Sequence, residues 1–177
     1  MFPDPLHPAL VHFPIVLAVL APFLAAAAAW AIYSGRLSGR SWVGIVILQV
    51  LVAGTAWIAT ETGENEEDRV ERVVSERYIE EHEEAAERFL VLAALVVPLA
   101  AAGMLTGGVG AINRVLTIVL SLVALAAAGS AGHSGGELVY RHGAAMAYTQ
   151  TGSGETAMLP TDTEYHLAYD DDDDTDD

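Results

Sequence analysis

Histidine is the residue type in this chain best suited to hold or move something. Six histidines occur and no cysteine does, which excludes disulfides, thiol catalysis and iron–sulfur ligation by this chain. His7 and His12 bracket the stretch His7-Pro8-Ala9-Leu10-Val11-His12-Phe13-Pro14. His82 is followed by Glu83 inside an acidic stretch, and His133 and His142 flank Gly135-Gly136-Glu137-Leu138-Val139-Tyr140. His166 lies in an acidic C-terminal stretch and is set aside. Imidazole is the commonest metal ligand and an axial ligand of haem. Five imidazoles brought to one place would therefore make a cofactor or metal site. Left without a cofactor, they would make a hydrogen-bonded polar cap.

Whether they can meet depends on the elements that carry them. Hydrophobic residues make up 53% of the chain, yet its net charge is -16, so apolar and charged residues must be segregated along it. Four apolar runs result, at about 9–33, 42–60, 89–105 and 112–132, and Arg114 is the one acidic or basic residue inside them. A helix of roughly 20 residues crosses a hydrocarbon core of about 30 Å. A charge at its centre costs roughly 2.5–3.5 kcal/mol on insertion scales. Charge-free runs of this length predict four transmembrane helices. No basic residue precedes the first run and it exceeds a signal-peptide core in length, so it is expected to be retained.

The stretch 61–88 carries twelve acids and four arginines. Val70, Val73, Val74, Tyr78, His82, Ala85 and Phe89 recur at helical spacing, which predicts an acidic helix over 65–88 leading into the third span. Asn65 is its candidate cap, and Asp68–Arg72 and Glu84–Arg88 have the spacing of helical ion pairs. Gly63 is the expected end of the second helix. Pro22 and Pro98 fall inside spans and are candidate kinks. The expected architecture is all-α: a four-helix transmembrane bundle over 1–147, with an extramembrane helical extension before the third span and a disordered acidic tail over 148–177.

Four crossings fix a parity. The start of helix one, the connection between helices two and three and the end of helix four must share one membrane face. His7, His12, His82, His133 and His142 all belong to those places. His12 and His133, shallowly placed on the first and last helices, are the first candidate pair for a b-type haem. His7, His82 and His142 are candidates for a second haem or for Zn, Cu or Fe, with Glu64, Glu83 and Glu137 as oxygen ligands. The opposite face carries Arg36, Arg40 and Arg114 in short connections, which points to a cytoplasmic arginine face and an extracytoplasmic histidine face bearing both termini.

Other chemistries are poorly supplied. Ala86 stands where a zincin helix would need its second histidine after His82-Glu83, and no phosphate loop, dinucleotide fingerprint or serine triad pattern occurs. Gln49, Thr55, Thr117 and Ser121 are too few polar groups to line a solute path. An excess of acids argues against nucleic-acid binding, and acids without a single lysine point to a halophilic surface. The expected partners are the lipid bilayer, a redox protein or quinone, and a second copy of the chain.

The motifs His7-Pro8-Ala9-Leu10-Val11-His12-Phe13-Pro14-Ile15, Thr62-Gly63-Glu64, His82-Glu83, Gly132-His133 and Gly135-Gly136-Glu137-Leu138-Val139-Tyr140 followed by His142-Gly143 resemble a family of predicted four-helix prokaryotic membrane proteins classed as a domain of unknown function. The resemblance covers residues 6–145 and puts all five histidines at motif positions. It implies the four-helix architecture. Some members are fused to or encoded near Rieske-type or other redox proteins, which implies an electron-transfer role by association.

Overall fold

The computed structural model describes residues 5–149; of the tail expected over 148–177, Tyr148 and Thr149 are helical and 150–177, with His166, lie outside the described residues. All the regular elements described are helical. The first crossing, His7–Tyr33, begins as the short α1 (His7–Leu10) and continues after Val11 as α2 (His12–Tyr33). Pro8 falls in the first turn, where a missing N–H leaves no gap, and α2 runs on through Pro22. A 3-10 turn, Gly39–Trp42, opens the second crossing, α3 (Val43–Val70). The third and fourth are α4 (Glu76–Ala102) and α5 (Gly107–Tyr140), and a single turn, α6 (Met146–Thr149), closes the described chain.

Two expected boundaries move. Gly63 does not end the second helix: α3 continues three turns beyond the apolar run to Val70, and Asn65 donates to the Glu61 carbonyl inside it instead of capping a new helix. The acidic stretch is therefore a helical hairpin and not one rod. Its corner falls at 71–75, where Ser75 adopts an extended backbone and Val74, Ile79, Leu138 and Ala144 bury one another beneath the turn. Glu84–Arg88 pairs at 2.5 Å, whereas Asp68–Arg72 straddles the end of α3. At the other end, α5 begins at Gly107 and runs through Gly132, Gly135 and Gly136, overrunning its apolar stretch by two turns.

The four long helices form a ring in chain order, α2 against α3, α3 against α4, α4 against α5, and α5 against α2. Small side chains fill the centre: Ala18, Ala21, Ala56, Ala93, Ala124 and Ala128 surround Val52 and Phe89. Large ones such as Phe13, Phe23, Trp57, Val91, Leu95 and Val119 face outward. Lipid is as apolar as any core, so it solvates the large side chains while alanine lets backbones approach. Across the bundle, buried Gln49 donates to Ser121 Oγ at 3.0 Å, linking α3 to α5.

The arginine end is packed shut. Trp42 is fully buried, and its indole N–H donates to the Ala100 carbonyl at 2.9 Å. Gly103 makes room for it, since a Cβ there would lie 2.5 Å from the indole nitrogen. Arg114 Nε donates to the Gly103 carbonyl at 2.9 Å, and its guanidinium lies 5.6 Å from the Trp42 ring centre. This accounts for the one charge in the four runs: Arg114 is spent on a carbonyl at the helix end and on an aromatic face.

Candidate functional site

The histidine end is built differently. Ala59, Gly63 and Glu66 occupy positions i, i+4 and i+7 of α3, one face of the helix, and His7 lies along that face. The His7 ring places Nδ1 2.9 Å from the Ala59 carbonyl. A Cβ on Gly63 would come within 3.1 Å of the ring, so the glycine is the ring's seat. Thr62 Oγ donates to the same carbonyl, leaving it no hydrogen to offer the imidazole 3.4 Å away. A carbonyl only accepts. His7 Nδ1 therefore carries the hydrogen, and in the neutral ring Nε2 carries the lone pair.

His82 repeats the device from α4 onto α5. Its Nδ1 lies 3.1 Å from Ser134 Oγ, while that hydroxyl donates to the Ala131 carbonyl. The serine hydrogen is already used, so His82 Nδ1 donates and its Nε2 also presents a lone pair. A Cβ on Gly135 would lie 3.0 Å from this ring. The two imidazoles meet edge to face with ring centres 6.2 Å apart. Phe89 marks where the charge-free part of α4 begins, so His82 and Glu83 stand above the membrane-spanning segment. Burial holds the His82 imidazole below its ordinary value, and a charged His7 would push the same way, against a backbone hydrogen bond with Ala131. Burial, with Glu67, Glu64, Glu87 and Glu80 around it, holds the Glu83 carboxyl above its ordinary value.

Two grooves open on either side of this pair, of about 470 and about 440 Å³. Both are lined by His7, Pro8, Thr60, His82, Ala86, Gly135 and Val139 and are otherwise mostly apolar. The upper groove reaches the acidic hairpin, with Glu64, Glu66, Glu67, Glu83, Glu87 and Tyr148 at its rim. The lower one descends between the spans past His12, Ala56, Phe89 and Ala128. Each volume lies in the range of small-molecule and cofactor sites, roughly 300–1,000 Å³.

The remaining candidates are placed elsewhere. His12 is exposed at the lower groove's edge, and His133 is exposed on α5 with Nε2 3.7 Å from Glu137 of its own helix. Among the described residues no hydrogen bond, ion pair or ring contact joins His12 to His133, whereas His7 and His82 do meet. His142 stacks on Tyr78, ring centres 3.7 Å apart, and Glu137 pairs with Arg141 at 2.5 Å. The upper metal set of His7, His82, His142, Glu64, Glu83 and Glu137 does not converge: among the described residues no three His, Asp or Glu side chains form a ligand group. Sequence reasoning missed Ser134 and the ring-seating role of Gly63 and Gly135, although Gly63 and Gly135 stood in motifs singled out for other reasons.

Residues 3–148 match the family described as "Predicted membrane protein (DUF2231)". The chain belongs to that family. The match takes in every described histidine and both long motifs, in agreement with the four candidate membrane crossings. No curated protein and no solved structure matches the chain. The DUF2231 protein is thus an integral membrane protein whose motif residues converge on one end of a four-helix bundle.

Proposed function

We propose that this protein is a haem-binding electron-transfer component of the membrane, in which His7 and His82 would hold the haem. The observation that carries this reading is the pair of imidazoles from different helices, each anchored through Nδ1 so that Nε2 is left with the lone pair that a metal would take. Metal-ligating histidines are held in this way, with the other ring N–H donated to a carboxylate, backbone carbonyl or water that fixes tautomer and orientation, a part that the Ser134 hydroxyl would play for His82. Two donors suit haem better than a bare ion. Structural zinc takes four protein ligands and catalytic zinc three, whereas haem brings its own equatorial nitrogens and asks the protein for two. The two grooves that His7 and His82 line would supply apolar walls for the macrocycle. Electrons would pass to a redox protein at the acidic rim or to a quinone entering from the bilayer, on the extracytoplasmic side if the arginine end is cytoplasmic.

The test is an absorption spectrum of the detergent-purified full chain, expressed with haem available, oxidised and then reduced with dithionite. A Soret band with a sharpened α band is expected in the wild type. His7→Ala and His82→Ala should each lose it, while His12→Ala and His133→Ala should keep it. Folded wild-type protein without a Soret band would reject haem.

A second reading is favoured by the hydrogen bonds themselves, which tie the start of α1 to α3 and α4 to α5 without any cofactor. Here the pair is a polar cap on a non-redox subunit that scaffolds a partner through its acidic hairpin. Colourless, metal-free protein that loses its assembly when 66–84 is trimmed would establish it.

A further inference from the structure

We propose that Glu66 is a positioning residue for His7, and that Tyr148 makes this positioning depend on the C-terminal end of the helical domain. Glu66 Oε1 accepts from the backbone N–H of Leu6 at 2.9 Å and of His7 at 3.1 Å. Its Oε2 accepts from the Tyr148 hydroxyl at 2.6 Å. One carboxylate thus joins three parts of the chain: the start of the first crossing, the extramembrane part of α3, and α6. His7 is held on α3 at two points two turns apart, its backbone on Glu66 and its ring on the Ala59 carbonyl, with Gly63 between them.

Two points of attachment fix an orientation where one fixes only a position. With the backbone released, the ring must hold the Ala59 bond against the entropy of a loosened start of α1. Tyr148 sits on the other oxygen because the chain turns back at Gly143, whose φ of +74° suits glycine, and buries Ala144 and Ala147. The N–H groups of Leu6 and His7 open α1 and have no carbonyl one turn back to bond, so their acceptor must come from another element, and a carboxylate is favoured at a helix start. With Tyr148 on its other oxygen, this one group bonds both the start of α1 and α6.

This inference rests on His7 being a ligand, but its test reads the ring directly. The full chain, labelled with 15N-histidine in detergent micelles, gives ring nitrogen shifts for His7 and His82, assigned with His7→Gln and His82→Gln. The wild type should show both rings protonated at Nδ1. Glu66→Ala should turn His7 into a tautomer mixture and leave His82 unchanged. Glu66→Gln should restore His7, because its amide oxygen still accepts both N–H groups and its NH₂ can donate to the phenol. Tyr148→Phe should shift His7 in the same direction by less. If haem binds, Glu66→Ala should lower its affinity about tenfold or more, the scale for groups that orient a ligand, and Glu66→Gln should not. An unchanged His7 in Glu66→Ala would overturn the proposal, as would equal changes in His7 and His82, which would mean general loosening. A wild type that never binds haem would sink the cofactor reading alone, with the His7 tautomer still deciding the role of Glu66.

Discussion

The two ends of this bundle use one device to opposite effect. At each, an aromatic ring is seated on a glycine and donates its N–H to a carbonyl: Trp42 on Gly103, which caps α4, and Ala100, His7 on Gly63, within α3, and Ala59. Indole has a single nitrogen, and once that is bonded the ring has nothing left to offer. Trp42 is fully buried and its end is closed. Imidazole has a second nitrogen. His7 and His82 stay half-buried at the lips of two grooves with a lone pair to spare. The same anchoring makes a plug where the ring is monofunctional and a site where it is bifunctional.

The largest effect is expected at the closed end. Trp42→Ala empties a fully enclosed position and leaves the Ala100 carbonyl without its donor. The expected loss is about 3–5 kcal/mol, the range for large aromatic truncations in tight packing. Unfolding titration in mixed micelles would measure it, and the His7 and His82 ring shifts should be unmoved. A loss under about 1 kcal/mol would contradict a packed plug.

At the open end the glycines should separate stability from site. Alanine at 63 or 135 gains up to about 1 kcal/mol of helix propensity. The new Cβ presses on a ring at 3.1 or 3.0 Å, and the ring has groove to move into. Gly63→Ala and Gly135→Ala should therefore change stability by about 1 kcal/mol or less. They should nonetheless displace His7 or His82 from its Nδ1 partner, read as a tautomer change and loss of any Soret band. Large destabilisation with an intact tautomer would reverse this assignment.

The smallest effect is that of pH. The folded His82 value lies below the ordinary one of about 6.5, so the unfolded chain takes up its proton first as pH falls. The stability contributed by neutral His82 is complete above about pH 6.5 and is lost as pH drops toward the folded value. Thermal unfolding between pH 7.5 and 5 should show this loss, and His82→Gln should flatten it. An unchanged slope in that variant would place the titration elsewhere.

Several of these features were legible in advance. Four charge-free runs and their parity sufficed to bring His7, His12, His82, His133 and His142 to one end, because crossing number fixes sidedness whatever the packing. The helix ends were less legible. Gly63 read as a helix stop and the fourth run ended at about 132, yet Gly63, Gly135 and Gly136 each lie within a helix where tertiary contacts outweigh propensity; two of them face rings. The acidic hairpin was masked because Val70, Val73 and Val74 keep helical spacing up to the corner that they fill.

Which histidines face inward was decided by the tertiary structure alone. In a soluble helix the polar face marks the outside, so a histidine's side can be read from its neighbours. Here lipid is as apolar as the core, and the neighbours of His12 and His133 look the same on either face. The four helices close around alanines and send their larger side chains to the bilayer. That rotation turns His133 outward, leaves His12 at a groove's edge and sets His7 against His82. The sequence by itself determined that the bundle has a histidine end; the way small residues pack determined which two histidines make its centre.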